Sequence, residues 1–170
     1  ENVVIEDREI PGPVASPPVG VRIYRPKAVS GVLPGIFLIH GGGMIMGSVE
    51  GENLKATELC EAIQAVVISV EYRLAPEQPH LAPVQDCYAA LKWMAKNADD
   101  LAFDPNRLAV VGGSAGGGLT IATTMMARDK GFPRICFQMP LYPMIDDRHE
   151  TPSSYEIMDA GIQDREGNVE

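Results

Sequence analysis

The sequence predicts an α/β protein: a mostly parallel central sheet flanked by helices. Three observations carry that expectation. Short, largely apolar runs at Gly35–Ile39, Ala65–Val70 and Leu108–Val111 have the composition of strands covered on both faces. Segments of helical periodicity separate them, and alternating strand and helix is the pattern of parallel strands joined by crossovers. The last of these runs leads directly into Gly112-Gly113-Ser114-Ala115-Gly116 and then a further helical segment.

Taken in order, Val3-Val4-Ile5 opens a first strand, and Val19 to Tyr24 alternates apolar residues as a second. The Pro-rich stretch Pro11 to Pro18 separates them. After the strand at Gly35–Ile39, Ala56, Leu59, Cys60 and Ile63 recur at helical spacing. The strand Ala65–Val70 follows. Pro83 suits the first turn of a second helix, because proline lacks only an N–H that this position leaves unpaired. Val84, Cys87, Tyr88, Leu91 and Met94 line one face of that helix, and Lys92 and Lys96 favour its negative C-terminal end. Asp104-Pro105-Asn106 is expected to form a turn before the strand Leu108–Val111. A third helix should turn Leu119, Ala122, Met125 and Met126 inward and stop at Gly131. Ile135 to Leu141 is the last expected strand, and the polar tail after Asp146 receives no assignment.

Composition narrows the function. A chain of 170 residues without repeats or linkers is expected to be one domain, residues 1–170. Its net charge of −9 argues against nucleic acid and anionic membrane surfaces, which reward Lys and Arg. No run approaches the roughly 20 apolar residues of a membrane span. Cys60, Cys87 and Cys136 are odd in number and far apart. They form neither a metal spacing nor a disulfide framework, so no metal is expected, and all three read as buried small apolar side chains. A reducing, cytoplasmic location is the corresponding expectation.

Two segments carry chemistry. Gly112-Gly113-Ser114-Ala115-Gly116 matches G-x-S-x-G between a buried strand and an amphipathic helix, the context of a nucleophile elbow. The turn is sharp, so small residues must flank the serine. The helix N-terminus places free N–H groups and a positive dipole beside the attacking oxygen. A phosphate-binding turn is the competing reading, but G-x-G-x-x-G is absent and no P-loop lysine follows. His40-Gly41-Gly42-Gly43 ends the strand Gly35–Ile39. Glycines there allow close approach and backbone N–H groups aimed at a developing oxyanion. His40 precedes the serine, whereas the base of this arrangement follows it. It is therefore expected to set the loop by hydrogen bonding.

His40-Gly41-Gly42-Gly43, Tyr72 to Glu77, Asp86 to Trp93, the serine elbow, and Tyr142-Pro143 with Asp146 together resemble the hormone-sensitive-lipase-like family of carboxylesterases, from about Val19 to about Tyr155. The resemblance implies an α/β-hydrolase fold and cofactor-free hydrolysis of short- to medium-chain carboxylic esters through an acyl-enzyme. It implies Ser114 as nucleophile and the N–H groups of Gly42, Gly43 and Ala115 as oxyanion hole. His40, Gly41, Tyr72 and Glu77 would support the loops. Two positions depart from the family pattern: Gly113 stands where an Asp is usual, and Met44 where an aromatic often follows the glycines.

The family's catalytic acid and base lie on turns after two further strands, which this chain does not contain. Asp146, Asp147 and His149 follow Ser114 in formally correct order. They sit in one polar turn, too close together for a supported Asp–His pair, so His149 reads as solvated. His80, between Pro79 and Pro83, reads as a loop residue. The expectation is a partial α/β-hydrolase domain whose last strand is left as an edge, open to a missing C-terminal segment or an oligomeric partner. The alternative is a non-catalytic, receptor-like binding protein of the same fold.

Overall fold

In a computed structural model, which describes residues 2–29, 31–78, 81–148 and 150–156, six strands form one sheet. In chain order they are β1 (Val3–Ile10), β2 (Val19–Pro26), β3 (Leu33–Ile39), β4 (Val66–Glu71), β5 (Phe103–Gly113) and β6 (Phe137–Leu141). The helices are α1 (Asn53–Ile63), α2 (Ala82–Lys96), the short α3 (Ala98–Leu101), α4 (Ala115–Asp129) and the short α5 (Pro152–Glu156). Across the sheet the order is β1-β2-β4-β3-β5-β6. β1 and β2 pair antiparallel, as do β2 and β4, while β4, β3, β5 and β6 run parallel.

Period-two alternation divides the parallel strands between two cores. On one face Phe37 and Ile39 of β3, Ile68 and Val70 of β4, and Leu108 and Val110 of β5 pack with Cys87, Leu91 and Met94 of α2 and Leu119 of α4. On the other, Ile36, Leu38, Val67 and Val111 pack with Tyr24 and with Ala56 and Cys60 of α1. Both faces being covered, β3 reads as an unbroken apolar run and β4 as one interrupted only by the buried Ser69 before Glu71 ends it. Burial pushes the Cys60 thiol up to about 11, with Glu61 adding to the shift. α2 carries proline in its first turn, buries the expected Cys87–Met94 face and ends on Lys96. No helix of the described residues is long and apolar enough to cross a membrane.

Four expectations fail in detail. Asp104-Pro105-Asn106 lies inside β5, which starts at Phe103. The local chemistry is still that of a turn, since Asp104 accepts the Asn106 N–H at 2.9 Å and the β3 register shifts at this point. Met125 of α4 is exposed, and Thr120 and Thr123 are buried in its stead. Thr120 can be buried because its hydroxyl donates to the Gly116 carbonyl at 2.8 Å, relieving the cost of taking it from water. Ile63 is exposed at the end of α1, beside the left-handed Gln64 cap. Cys136 is exposed, unlike Cys60 and Cys87, because it enters β6 at the edge of the sheet. Among the described residues β6 is the outermost strand on its side of the sheet, as the sequence reading expects.

Candidate active site

β3 and β5 are parallel neighbours with Ile39 in register with Gly112. Their following loops therefore emerge side by side at the C-terminal edge of the sheet, where open α/β sheets bind ligands. One loop begins at His40, and the other is the turn at Ser114.

Ser114 has φ 56° and ψ −120° between β5 and α4. A non-glycine residue in that region costs on the order of 1–3 kcal/mol and persists only when its surroundings enforce it. Here they do. The Ser114 N–H donates to the Leu141 carbonyl at 3.0 Å, and the Ser114 carbonyl accepts from Gly118 at 3.0 Å and Met144 at 2.9 Å. A serine at this position ordinarily caps its own helix. Ser114 makes no such side-chain cap, so it leaves Oγ uncommitted and the first helical N–H groups open.

Glycines make the approach possible. A Cβ on Gly41 would stand 3.0 Å from the Gly113 carbonyl and 3.6 Å from Ser114 Cβ, so the two loops touch. A Cβ on Gly116 would collide with the carbonyls of Ile39 and His40. The first turn of α4 is thereby seated against the end of β3. Gly113, where an acid was expected by resemblance, faces Tyr142, whose Oη would lie 3.1 Å from an added Cβ. Gly42 (φ 121°) and Gly43 (φ 63°) take left-handed backbone, and the Gly42 carbonyl accepts from Ile45 at 3.1 Å and Met46 at 2.9 Å. Among the described residues no backbone hydrogen bond engages the N–H of Gly42, Gly43 or Ala115.

His40 is 1% exposed and stacks on Tyr72 with ring centroids 4.1 Å apart and planes 13° apart. Its Nδ1 lies 2.7 Å from the Gly41 carbonyl, which can only accept, so Nδ1 carries the proton. The Tyr72 hydroxyl donates to the His40 carbonyl at 3.0 Å, and burial raises the Tyr72 phenol far above its ordinary pKa. His40 thus holds its own loop from beneath. Glu77 is exposed and has no hydrogen bond or ion pair among the described residues. The bracing attributed to its segment comes from other atoms. The Ala75 N–H donates to the Met44 carbonyl at 2.9 Å, and Glu71 accepts the Val49 N–H at 2.8 Å.

Sequence reasoning missed the ion pair beneath this segment. Asp86 of α2 is wholly buried. It accepts Arg73 Nε at 2.7 Å, Nη2 at 2.8 Å and the Arg73 backbone N–H at 3.1 Å. The signal was present: a lone acid heads the inward run Cys87-Tyr88. His80 and His149 lie outside the described residues. Asp146, the acid of that candidate pair by order, is bound to Arg148 at 2.7 Å. No group of three potential metal-ligating side chains occurs among the described residues.

The mixed sheet, the strained serine between strand and helix, and the glycine loop beside it are the architecture of the α/β-hydrolase fold. The chain belongs to the alpha/beta hydrolase fold family, whose model matches residues 36–167, and within it to the hormone-sensitive-lipase-like branch. It is 41% identical over 148 residues to carboxylesterase NlhH of Mycobacterium tuberculosis, covering 87% of this chain and 46% of that protein. It is 37% identical over 144 residues to an arylesterase of Saccharolobus solfataricus, covering 84% of this chain and 43% of that protein. A bacterial heroin esterase superposes with a TM-score of 0.96 at 38% identity, over 99% of this chain and 53% of that structure. The chain spans about half the length of the curated relatives it matches.

Proposed function

We propose that this chain carries the nucleophile and oxyanion loop of a serine carboxylic ester hydrolase acting on short- to medium-chain acyl esters. The observation that carries the reading is the strained, uncapped Ser114 held against Gly41. Relatives named carboxylesterase and arylesterase support it. Ser114 Oγ attacks the ester carbonyl and gives its proton to a general base. The carbonyl oxygen becomes an oxyanion that accepts from Gly42, Gly43 and Ala115 N–H. The alkoxide leaves as alcohol with the proton the base returns, and water then hydrolyses the acyl-serine. Among the described residues His40 is the only histidine, and it is 1% exposed and stacked on Tyr72 beneath its own loop. The base therefore comes from elsewhere in the active protein.

In the protein in its active form, Ser114→Ala should abolish ester turnover down to roughly 10³–10⁴-fold over water. Stability should barely change, since Oγ makes no cap. A fluorophosphonate should label Ser114. Labelling at another residue, with Ser114→Ala still active, refutes the assignment.

A further inference from the structure

A second concave site lies far from Ser114. Three of the chain's five lysines, Lys92, Lys96 and Lys130, line one groove of about 510 Å³, in a protein of net charge −9. Its walls are the β1–β2 connection, one face of α2 and the last turn of α4. Met126, on the α4 wall, is roughly 18 Å along the helix from Ser114 at 1.5 Å per residue. That volume lies within the range of small-molecule sites.

We propose that this groove binds a small amphipathic carboxylate, the three lysines holding its anionic head and Trp93 with Val14 and Met126 receiving its apolar body. The charges are available. None of the three ammoniums forms a salt bridge among the described residues. Lys92 and Lys130 instead rest over the same Tyr88 ring, 5.8 Å and 5.0 Å from its centroid. Tyr88 is fixed there by donating its hydroxyl to the Phe132 carbonyl at 2.8 Å. The nearest acid in sequence, Asp129, is taken by Arg128 at 2.7 Å. Converging like charges repel, and an anion between them relieves that repulsion. The apolar side is equally open: Val14 at the rim is 99% exposed, and Pro11 and Pro13 continue the wall. Ammoniums bind as point charges on flexible stems, so several of them can share the two oxygens of one carboxylate. Enclosure on three sides favours a small molecule over a polymer.

The inference stands apart from ester hydrolysis, and its test requires no turnover. Trp93 is the chain's single tryptophan, so intrinsic fluorescence reports the groove directly. The chain is titrated with octanoate, with octan-1-ol and with sulfate. Octanoate should give a saturable change with a Kd on the order of 1 mM or tighter. Both controls should bind at least tenfold more weakly. The double variant Lys92→Gln/Lys130→Gln should raise the octanoate Kd at least tenfold, and Lys92→Arg/Lys130→Arg should retain binding. An absent response, an equal response to octan-1-ol, or an unchanged Kd in the glutamine variant with an unaltered circular-dichroism melt would each overturn the proposal.

Discussion

Asp86 shows how one side chain can hold a loop system in place. It is fully buried, yet its carboxylate is satisfied by three N–H donors of Arg73, whose own guanidinium charge it stabilises by hydrogen bonding. Removing one partner of such a pair strands the other, whereas replacing both by apolar groups does not. Asp86→Ala should therefore lower stability by about 3 kcal/mol, read as a shifted denaturation midpoint. Arg73→Met/Asp86→Leu should be the milder change. An unchanged midpoint in Asp86→Ala would show that the pair contributes nothing net. His40 illustrates the opposite use of a polar residue. Its ring acts by stacking on Tyr72 and by one hydrogen bond.

Among the elements, the β3–loop and β5–α4 units form one interlocked pair. Gly42 takes φ 121°, and a Cβ there would strike the Met46 carbonyl, so Gly42→Val cannot keep the loop path. Ester turnover should fall by about 10²–10³ as the N–H donors shift. Wild-type rates on several esters in that variant would mean that the loop supplies no oxyanion donor. How legible these elements were depended on the signal each one carried. β3, β4 and α2 were readable because burial on both faces, or on one helical stripe, leaves an unmistakable apolar pattern. The α4 face differs from expectation at Met125, since Thr120 and Thr123 join Leu119 and Ala127 on the inward side, Thr120 by way of a local hydrogen bond that an apolar pattern does not reveal. The Asp104 turn was read correctly as chemistry but wrongly as a strand boundary. The serine elbow stood out by motif. The Arg73–Asp86 pair did not, because thirteen residues separate partners that only the fold brings together.

At the scale of the whole molecule, the two margins of the sheet differ in character among the described residues. β1 and β2 close one edge as an antiparallel ribbon, with Arg8 and Arg22 pairing to Glu6 and Asp7 in a charged, solvated margin. β6 forms the other edge, and there Phe137 is 57% exposed beside a groove of about 530 Å³ lined by α4 and the approach to β6. An apolar strand with unpaired backbone groups invites another strand. The 170-residue chain alone should therefore elute as associated species in size-exclusion chromatography with light scattering, and Phe137→Lys should reduce that association. A stable monomer with a sharp cooperative melt would refute the prediction.

The contact of Gly41 with the elbow, and of Gly116 with the end of β3, has a bearing on directed evolution. Loops that share space through missing side chains cannot be randomised separately: a change in one is vetoed by the other. Tolerance should instead concentrate at Ile45 and Met46, which are 55% and 54% exposed on the same loop and lie outside that interlock. A library that seeks new specificity in this scaffold gains most variety per surviving clone there, with the glycines on either side left untouched.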